Sequence, residues 1–352
     1  MGAAPLSATT RRARMPAEFE PHAATIICWP ARDSLWGEHL EHGERATLEV
    51  VAAVARSEPV MLVASPARYD AAAQAVATLG LTSHPVELVG LALDDSWARD
   101  TGPIGVITDD GVAGCVDFRF NGWGAKYVPF DQDDALGAQL AQRLGRECWR
   151  SEMVLEGGSI AVDGRGTCVT TEQCLLNPNR NPQMSRDEIE FELGRWLGVS
   201  QVVWLPLALD DRDTDGHVDL VCAAAPHAWI FQNCADTADL EHQRLALSAA
   251  VLRNATDAAG ERLRVVELAE LPYVEVAGER LAVPYLNFYV GNSVVVVPVT
   301  GHPYDTTALE IIGEQFAGRD IVPVDGTWLA FGGGGPHCIT QQVPITQPVP
   351  AC

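Results

Sequence analysis

Four glycines, 332–335, and Pro336 lead directly to His337 and Cys338. A glycine run lets backbone approach a ligand closely, and Gly334 lies inside it. No Gly-Lys-Ser/Thr follows, so the run is not a phosphate loop. Local sequence leaves two readings of Cys338, a nucleophile or a small structural hydrophobe. An ordinary thiol of pKa about 8.5 is only roughly 3 percent thiolate at pH 7, which withholds about 2 kcal/mol of nucleophile. A cation bound beside the sulfur would remove much of that deficit.

A cysteine hydrolase also needs an acid/base. Neighbours in a strand point to opposite faces, so His337 is expected to turn away from the thiol as a packed or hydrogen-bonded side chain. His217 is better placed. Asp219 follows it by two residues, on the same face if VDLVC is a strand. A carboxylate beside imidazole orients it and holds it protonated longer. A metal site of His217, Asp219 and a cysteine is the alternative, but no further His or Cys at ligand spacing supports it.

The run Asp94-Asp95-Ser96-Trp97-Ala98-Arg99-Asp100 reads as a solvated acidic loop or as something more specific. An aromatic face (Trp97) with a carboxylate (Asp100) is how a planar guanidinium is held, by cation–π stacking and a hydrogen-bonded fork. Glu156, before Gly157-Gly158, is another inward carboxylate or a turn residue. One thiol, one histidine, several carboxylates and no prominent anion clamp together point to a cationic, guanidino substrate.

These residues need a scaffold. The chain has 352 residues, 47% hydrophobic and 20% charged, a globular profile. Its net charge of -23 repels nucleic acid and anionic membranes, and serves solubility or cationic small molecules. Nine cysteines at irregular spacing form no CxxC pair. Most lie in apolar runs, such as TIICWP around Cys28, and fit reduced thiols in a cytoplasm. No run approaches the roughly 18 apolar residues of a membrane span. Residues 1–14 read as a flexible tail without a signal sequence, and 15–352 as a single domain.

Helical periodicity marks 43–57, 67–79, 133–144, 185–197, 238–258 and 305–316. Residues 103–119, 159–171 and 217–232 each read as strand, tight turn, strand, and 285–324 repeats the theme. The pattern is an α/β fold of ββαβ units recurring about every 60 residues, hence pseudo-symmetric. Polar-glycine clusters lie at the unit starts: WARDTGP, EGGS, DTDGHVD and GGGGPHC. At equivalent points of repeated units, such clusters converge on the axis.

The motifs MPAEFEPH (15–22), WARDTGP (97–103), FNGWG (120–124), LEGGS (155–159), TTEQCLLNPNRNP (170–182), DTDGHVD (213–219), NFY (287–289) and GGGGPHCITQQ (332–342) resemble the agmatine deiminases and bacterial-type peptidylarginine deiminases. The resemblance runs from about residue 15 to 345. It implies a five-bladed pseudo-symmetric α/β propeller, the pentein fold. It implies Cys338 as nucleophile and His217 as general acid/base. Asp100 and Asp219 would grip the guanidinium, and Trp97 would line the site. Glu156 and Asp213 would lie near the substrate's chain or distal amine. It further implies hydrolysis of agmatine to N-carbamoylputrescine and ammonia through a Cys338 thiouronium, with no metal or cofactor. Another guanidine as substrate, amidine transfer to an amine, and cation binding without catalysis are the competing expectations. A homo-oligomer is compatible with the sequence, which does not specify one. Three positions and one stretch depart from the family pattern. Gly335 replaces a usual Asn, Leu220 an Asn, and Asp213 a common Glu, while the stretch before Arg280 is shorter.

Overall fold

A computed structural model describes residues 13–346. Five sheets share one plan: an antiparallel pair, then a helix, then a strand that returns parallel to the second strand of the pair. The first pairs Ile104–Thr108 with Ala113–Arg119, and Cys148–Val154 joins in parallel after helix Asp131–Arg143. The second uses Ile160–Val162, Thr167–Thr171, helix Arg186–Leu197 and Gln201–Leu205. The third uses Cys222–Ala225, Ala228–Gln232, helix Leu240–Asn254 and Val265–Leu268. The fourth uses Tyr289–Val290, Val294–Val299, helix Asp305–Gln315 and Asp320–Asp325. A parallel partner requires such a crossover, which is why each unit carries its own helix.

The fifth sheet is made from both ends of the chain. Thr340–Pro344 runs antiparallel to His22–Cys28, which pairs in parallel with Val60–Ala64 after helix Leu40–Val54, and Val86–Gly90 adds a further parallel strand. A hairpin of Tyr273–Val276 and Glu279–Ala282 stands outside this plan.

Local chemistry explains the elements. VVVVPV is buried along most of its length, as a β-branched run between covering layers should be. Helix Arg186–Leu197 begins in a capping box between Ser185 and Glu188 and ends at Gly198 in the left-handed region (φ 71°). Leu136 and Leu140, one helical turn apart, are both fully buried.

Two expectations change. The run after His217 is not a strand: Val218–Leu220 is a turn of 3₁₀ helix, and the strand starts only at Cys222. Ala13–Arg14 pairs with Ile107 and Thr108, so order already includes the last two residues of the expected tail; residues 1–12 lie outside the described residues.

Short helical turns replace strand at the unit starts. Ala98–Thr101 packs on Gly157–Ser159, which packs on Val218–Leu220. The Arg99 amide donates to the Cys338 carbonyl at 3.0 Å, tying the fifth unit's loop to the first. No helix among the described residues is long and apolar enough to cross a membrane, and the eight described cysteines are free thiols.

Candidate active site

Cys338 is 6% exposed and leaves the glycine run in a turn, two residues before the strand Thr340–Pro344. A Cβ on Gly334 would stand 2.5 Å from the Trp97 ring and 2.8 Å from the Cys338 Cβ, so only glycine lets this loop close over the thiol. The Asn287 amide faces the sulfur, with Nδ2 at 3.1 Å and Oδ1 at 3.3 Å. Asp219 Oδ2 lies 3.6 Å from the same sulfur. Burial pushes the Cys338 thiol well up, and the charges of Asp219 and Asp100 push it further, against the Gly335 and Asn287 hydrogen bonds. The resting residue is a neutral thiol.

His217 is held by the turn before it. Asp215 (φ 62°) and Gly216 (φ 86°) both adopt left-handed backbone. Thr171 Oγ1 donates to the Gly216 carbonyl, and the His217 amide donates to Thr214 Oγ1. The ring is 1% exposed, with Nδ1 3.8 Å from Asp100 Oδ1 and Nε2 without a hydrogen-bond partner. Burial works against its charge, but Asp100, with Cys174 and Glu156 behind it, raises its pKa to about 10. It is an imidazolium at neutral pH.

Asp100 ends a network. Its Oδ2 accepts from Trp123 Nε1 at 3.0 Å and its Oδ1 from the Gly158 amide at 3.0 Å. A Cβ on Gly158 would lie 2.5 Å from His217 Nδ1 and 3.0 Å from both Asp100 Oδ1 and Asp219 Oδ2. Gly158 is thus the hub that lets the histidine and two carboxylates crowd together. The carboxylates diverge: burial raises the Asp100 pKa, whereas for Asp219 burial is outweighed by His337 and the pKa falls. Asp219 Oδ1 is buried and has no hydrogen-bond partner. An unpaired buried acceptor is costly unless a ligand supplies a donor.

A narrow pocket touches Cys338, Asp100, Trp97, Trp123, Tyr127 and Asp213. A cavity of about 600 Å³ opens beside it and shares Asp213 and Gly333. The larger space does not reach Cys338, which lines the narrow pocket. Asp213 Oδ1 accepts from Tyr127 at 2.6 Å at the boundary between the two.

The comparisons with known proteins converge. A family model described as Porphyromonas-type peptidyl-arginine deiminase matches residues 14–344. The chain belongs to that family. Agmatine deiminase of Stutzerimonas stutzeri is 39% identical over 94% of this chain and 95% of its own length. Agmatine deiminase of Ectopseudomonas mendocina is 37% identical over 96% and 98%. The structure of the Enterococcus faecalis agmatine deiminase, described as catalysing its reaction, superposes with a TM-score of 0.91 at 31% identity, covering 98% of this chain and all of that one.

In this peptidyl-arginine deiminase family member, the residues singled out by sequence divide into two groups. Cys338, His217, Asp100, Asp219 and Trp97 come together, with Gly334 against the thiol and Asp213 at the pocket's edge. Glu156 does not line the narrow pocket. Its fully buried carboxylate binds Arg180 Nε at 2.6 Å and comes within 4.8 Å of the donor atoms of His217 and Cys174. Glu156, Cys174 and His217 are the one trio of potential metal donors that converges among the described residues. Arg180 already compensates Glu156, so the trio suits holding the histidine better than holding an ion.

Sequence reasoning missed Asn287, Trp123, Arg180 and Glu18. Each lies in a quoted motif, but their contacts span long separations, such as the 51 residues between Asn287 and Cys338. His337 is the hydrogen-bonded side chain that was expected, but not for the expected reason. The loop is a turn, and His337 donates into the site's rear by hydrogen-bonding Asp219.

Proposed function

We propose that this chain is an agmatine deiminase that hydrolyses agmatine to N-carbamoylputrescine and ammonia through a covalent Cys338 intermediate, in a pentein propeller whose five blades are the five sheets. The observation that carries the reading is the convergence of Asp219, His217 and Asp100 on Cys338, with Asp219 Oδ1 buried and unpaired and with Cys338 and Asp100 lining one pocket. Closure of the fifth sheet by both chain ends supports a ring of blades.

The guanidinium enters between Trp97 and the carboxylates of Asp100 and Asp219, which accept from its N–H groups. Its charge offsets the two anions that keep Cys338 protonated, and the thiol loses its proton to solvent. The sulfur attacks the guanidinium carbon, forming a C–S bond. The imidazolium of His217 gives a proton to the departing nitrogen, the C–N bond breaks, and ammonia leaves a thiouronium on Cys338. Neutral His217 then takes a proton from water as its oxygen attacks. The C–S bond breaks, and the ureido product and the thiol are released. Glu156, through its proximity to His217, keeps that imidazole charged between turnovers. Asp213 receives the distal amine. Asp213 is shared with the 600 Å³ cavity, which favours as a second reading a longer guanidine whose tail extends past that residue.

An assay of ammonia and ureide over agmatine, arginine, guanidinobutyrate and peptidyl arginine tests the assignment. Agmatine is expected to give the highest kcat/KM, with none of this activity in Cys338→Ala. Preference for a longer guanidine supports the second reading. Amidine transfer to an added amine without ureide formation overturns both.

A further inference from the structure

The mechanism gives His337 no role. His337 lies next to the nucleophile in sequence, and its ring is held between two carboxylates. Nδ1 is 2.8 Å from Asp219 Oδ2 and Nε2 is 2.8 Å from Glu18 Oε2. Ionised carboxylates only accept, so both ring nitrogens must carry hydrogen, and the ring is an imidazolium.

Glu18 is fixed from several sides. Its Oε1 accepts from the Val290 amide at 2.7 Å, and its Oε2 also receives Arg99 Nη2 at 3.3 Å. Arg99 is itself held by Gln342 Oε1 at 2.7 Å and the His337 carbonyl at 3.4 Å. The ring therefore has little freedom to rotate. This anchor comes from the N-terminal loop, 319 residues before His337.

We propose that Glu18 and His337 form a positioning pair that holds a fixed positive charge behind Asp219, keeping that carboxylate ionised and its free oxygen turned toward the substrate cation. The inference rests on the reading of Asp219 as a guanidinium ligand. The groups facing Asp219 are His337, His217 and Arg99 as cations, Asp100 as a second carboxylate, and the Cys338 thiol. Two acids crowded together disfavour each other's ionisation, so each needs a compensating cation. His337 compensates Asp219 by donating its proton to Oδ2, whereas His217 faces Asp100. Oδ2 is then occupied by His337 and the thiol, which leaves Oδ1 for the ligand. The directions of titration agree. Burial opposes charge on both acids, yet His337 and Arg99 take Glu18 down to about 2, and His337 leads in lowering Asp219.

The test compares wild type with His337→Gln, His337→Lys and Glu18→Gln, with agmatine as substrate. Gln at 337 keeps a polar side chain and removes the charge. Its acid limb of kcat/KM is expected to move to higher pH by about one to three pH units, the span an opposite charge at contact supplies. KM should rise more than kcat falls, and kcat/KM should recover at pH above the new limb. His337→Lys should restore the limb toward wild type. Glu18→Gln should move it in the same direction by less. A uniform loss in His337→Gln with an unmoved acid limb would overturn the proposal and leave His337 a packing residue. Should His337→Gln fail to fold, the Glu18→Gln profile decides the matter.

A second readout needs no turnover. Nitrogen-15 NMR of labelled histidines, with His337 assigned by its absence in a 337 variant, should find it doubly protonated near pH 7.5, where an ordinary imidazole is neutral. A neutral His337 there contradicts the inference even if the enzyme is active. A wild type that turns over no guanidine, with His337 nonetheless charged, refutes the proposed reaction and not the pair.

Discussion

Cys338 Sγ lies 3.6 Å from Asp219 Oδ2, so the proposed nucleophile has beside it an anion that holds its proton in place. Most activated cysteines sit beside cations. In the proposed mechanism the cation is the substrate, and the thiol stays protonated until one arrives.

That arrangement predicts a slow thiol. Iodoacetamide should alkylate Cys338 slowly in the substrate-free protein at neutral pH, with the rate still climbing above the ordinary thiol range near 8.5. The sign follows from burial and two carboxylates, all of which favour the protonated form. A rate that has levelled off by pH 7 would mean a preformed thiolate.

The two histidines should separate in mutagenesis. His217→Ala removes the proposed proton donor to the leaving nitrogen and should lower kcat by about 10²- to 10⁴-fold. His337→Ala should retain more activity, because that side chain acts through Asp219. In wild type, the His217 pKa is raised, so its acid form persists through neutral pH and is lost as pH rises through about 10. An inverted order of the two variants in steady-state kinetics contradicts this assignment.

Gly158→Ala should cost about 100-fold in kcat/KM, the effect of displacing a reacting group by roughly an ångström. The added methyl must push His217, Asp100 or Asp219 aside. Backbone strain is not the cause, since Gly158 is not among the residues with positive φ. Near-wild-type kinetics in the alanine variant would remove Gly158 from its hub position.

Some of this could be read in the chain and some could not. Cys338, His217, Asp100 and Asp219 were legible because each sits beside a glycine or aspartate cluster that no structural element requires. The hairpins and helices of four units were legible from alternation and helical spacing. The fifth sheet was not, because His22–Cys28 and Thr340–Pro344 look like isolated strands until the ends meet. His217 and Asp219 were expected to share a strand face and instead face inward from a single turn. Arg180 was invisible as the partner of Glu156, since nothing local marks a pair 24 residues apart.

A buried network far from the chemistry provides a stability test. Glu58 accepts from Tyr289 at 3.0 Å, from the Asn292 amide at 2.6 Å and from Thr25, and contacts His22 Nδ1 at 2.9 Å. Glu58→Ala should destabilise by about 3–5 kcal/mol in urea unfolding, because it strands these donors. Burial tends to raise the Glu58 pKa, but His22, Thr25 and Asn292 win and lower it. Its contribution is therefore present above the unfolded carboxyl pKa, about 4.3, and is lost as pH falls through the lower folded value. A variant unfolding within about 1 kcal/mol of wild type would contradict the network's role.

The central claim is that carbon becomes bonded to Cys338 during turnover. Rapid acid quenching of enzyme mixed with agmatine, followed by peptide mass spectrometry, tests it most directly. The account predicts an adduct on the Cys338 peptide with the mass of agmatine less ammonia, absent from Cys338→Ser. Full turnover with Cys338 unmodified at every quench time, together with ammonia release by Cys338→Ser at the wild-type rate, would contradict it.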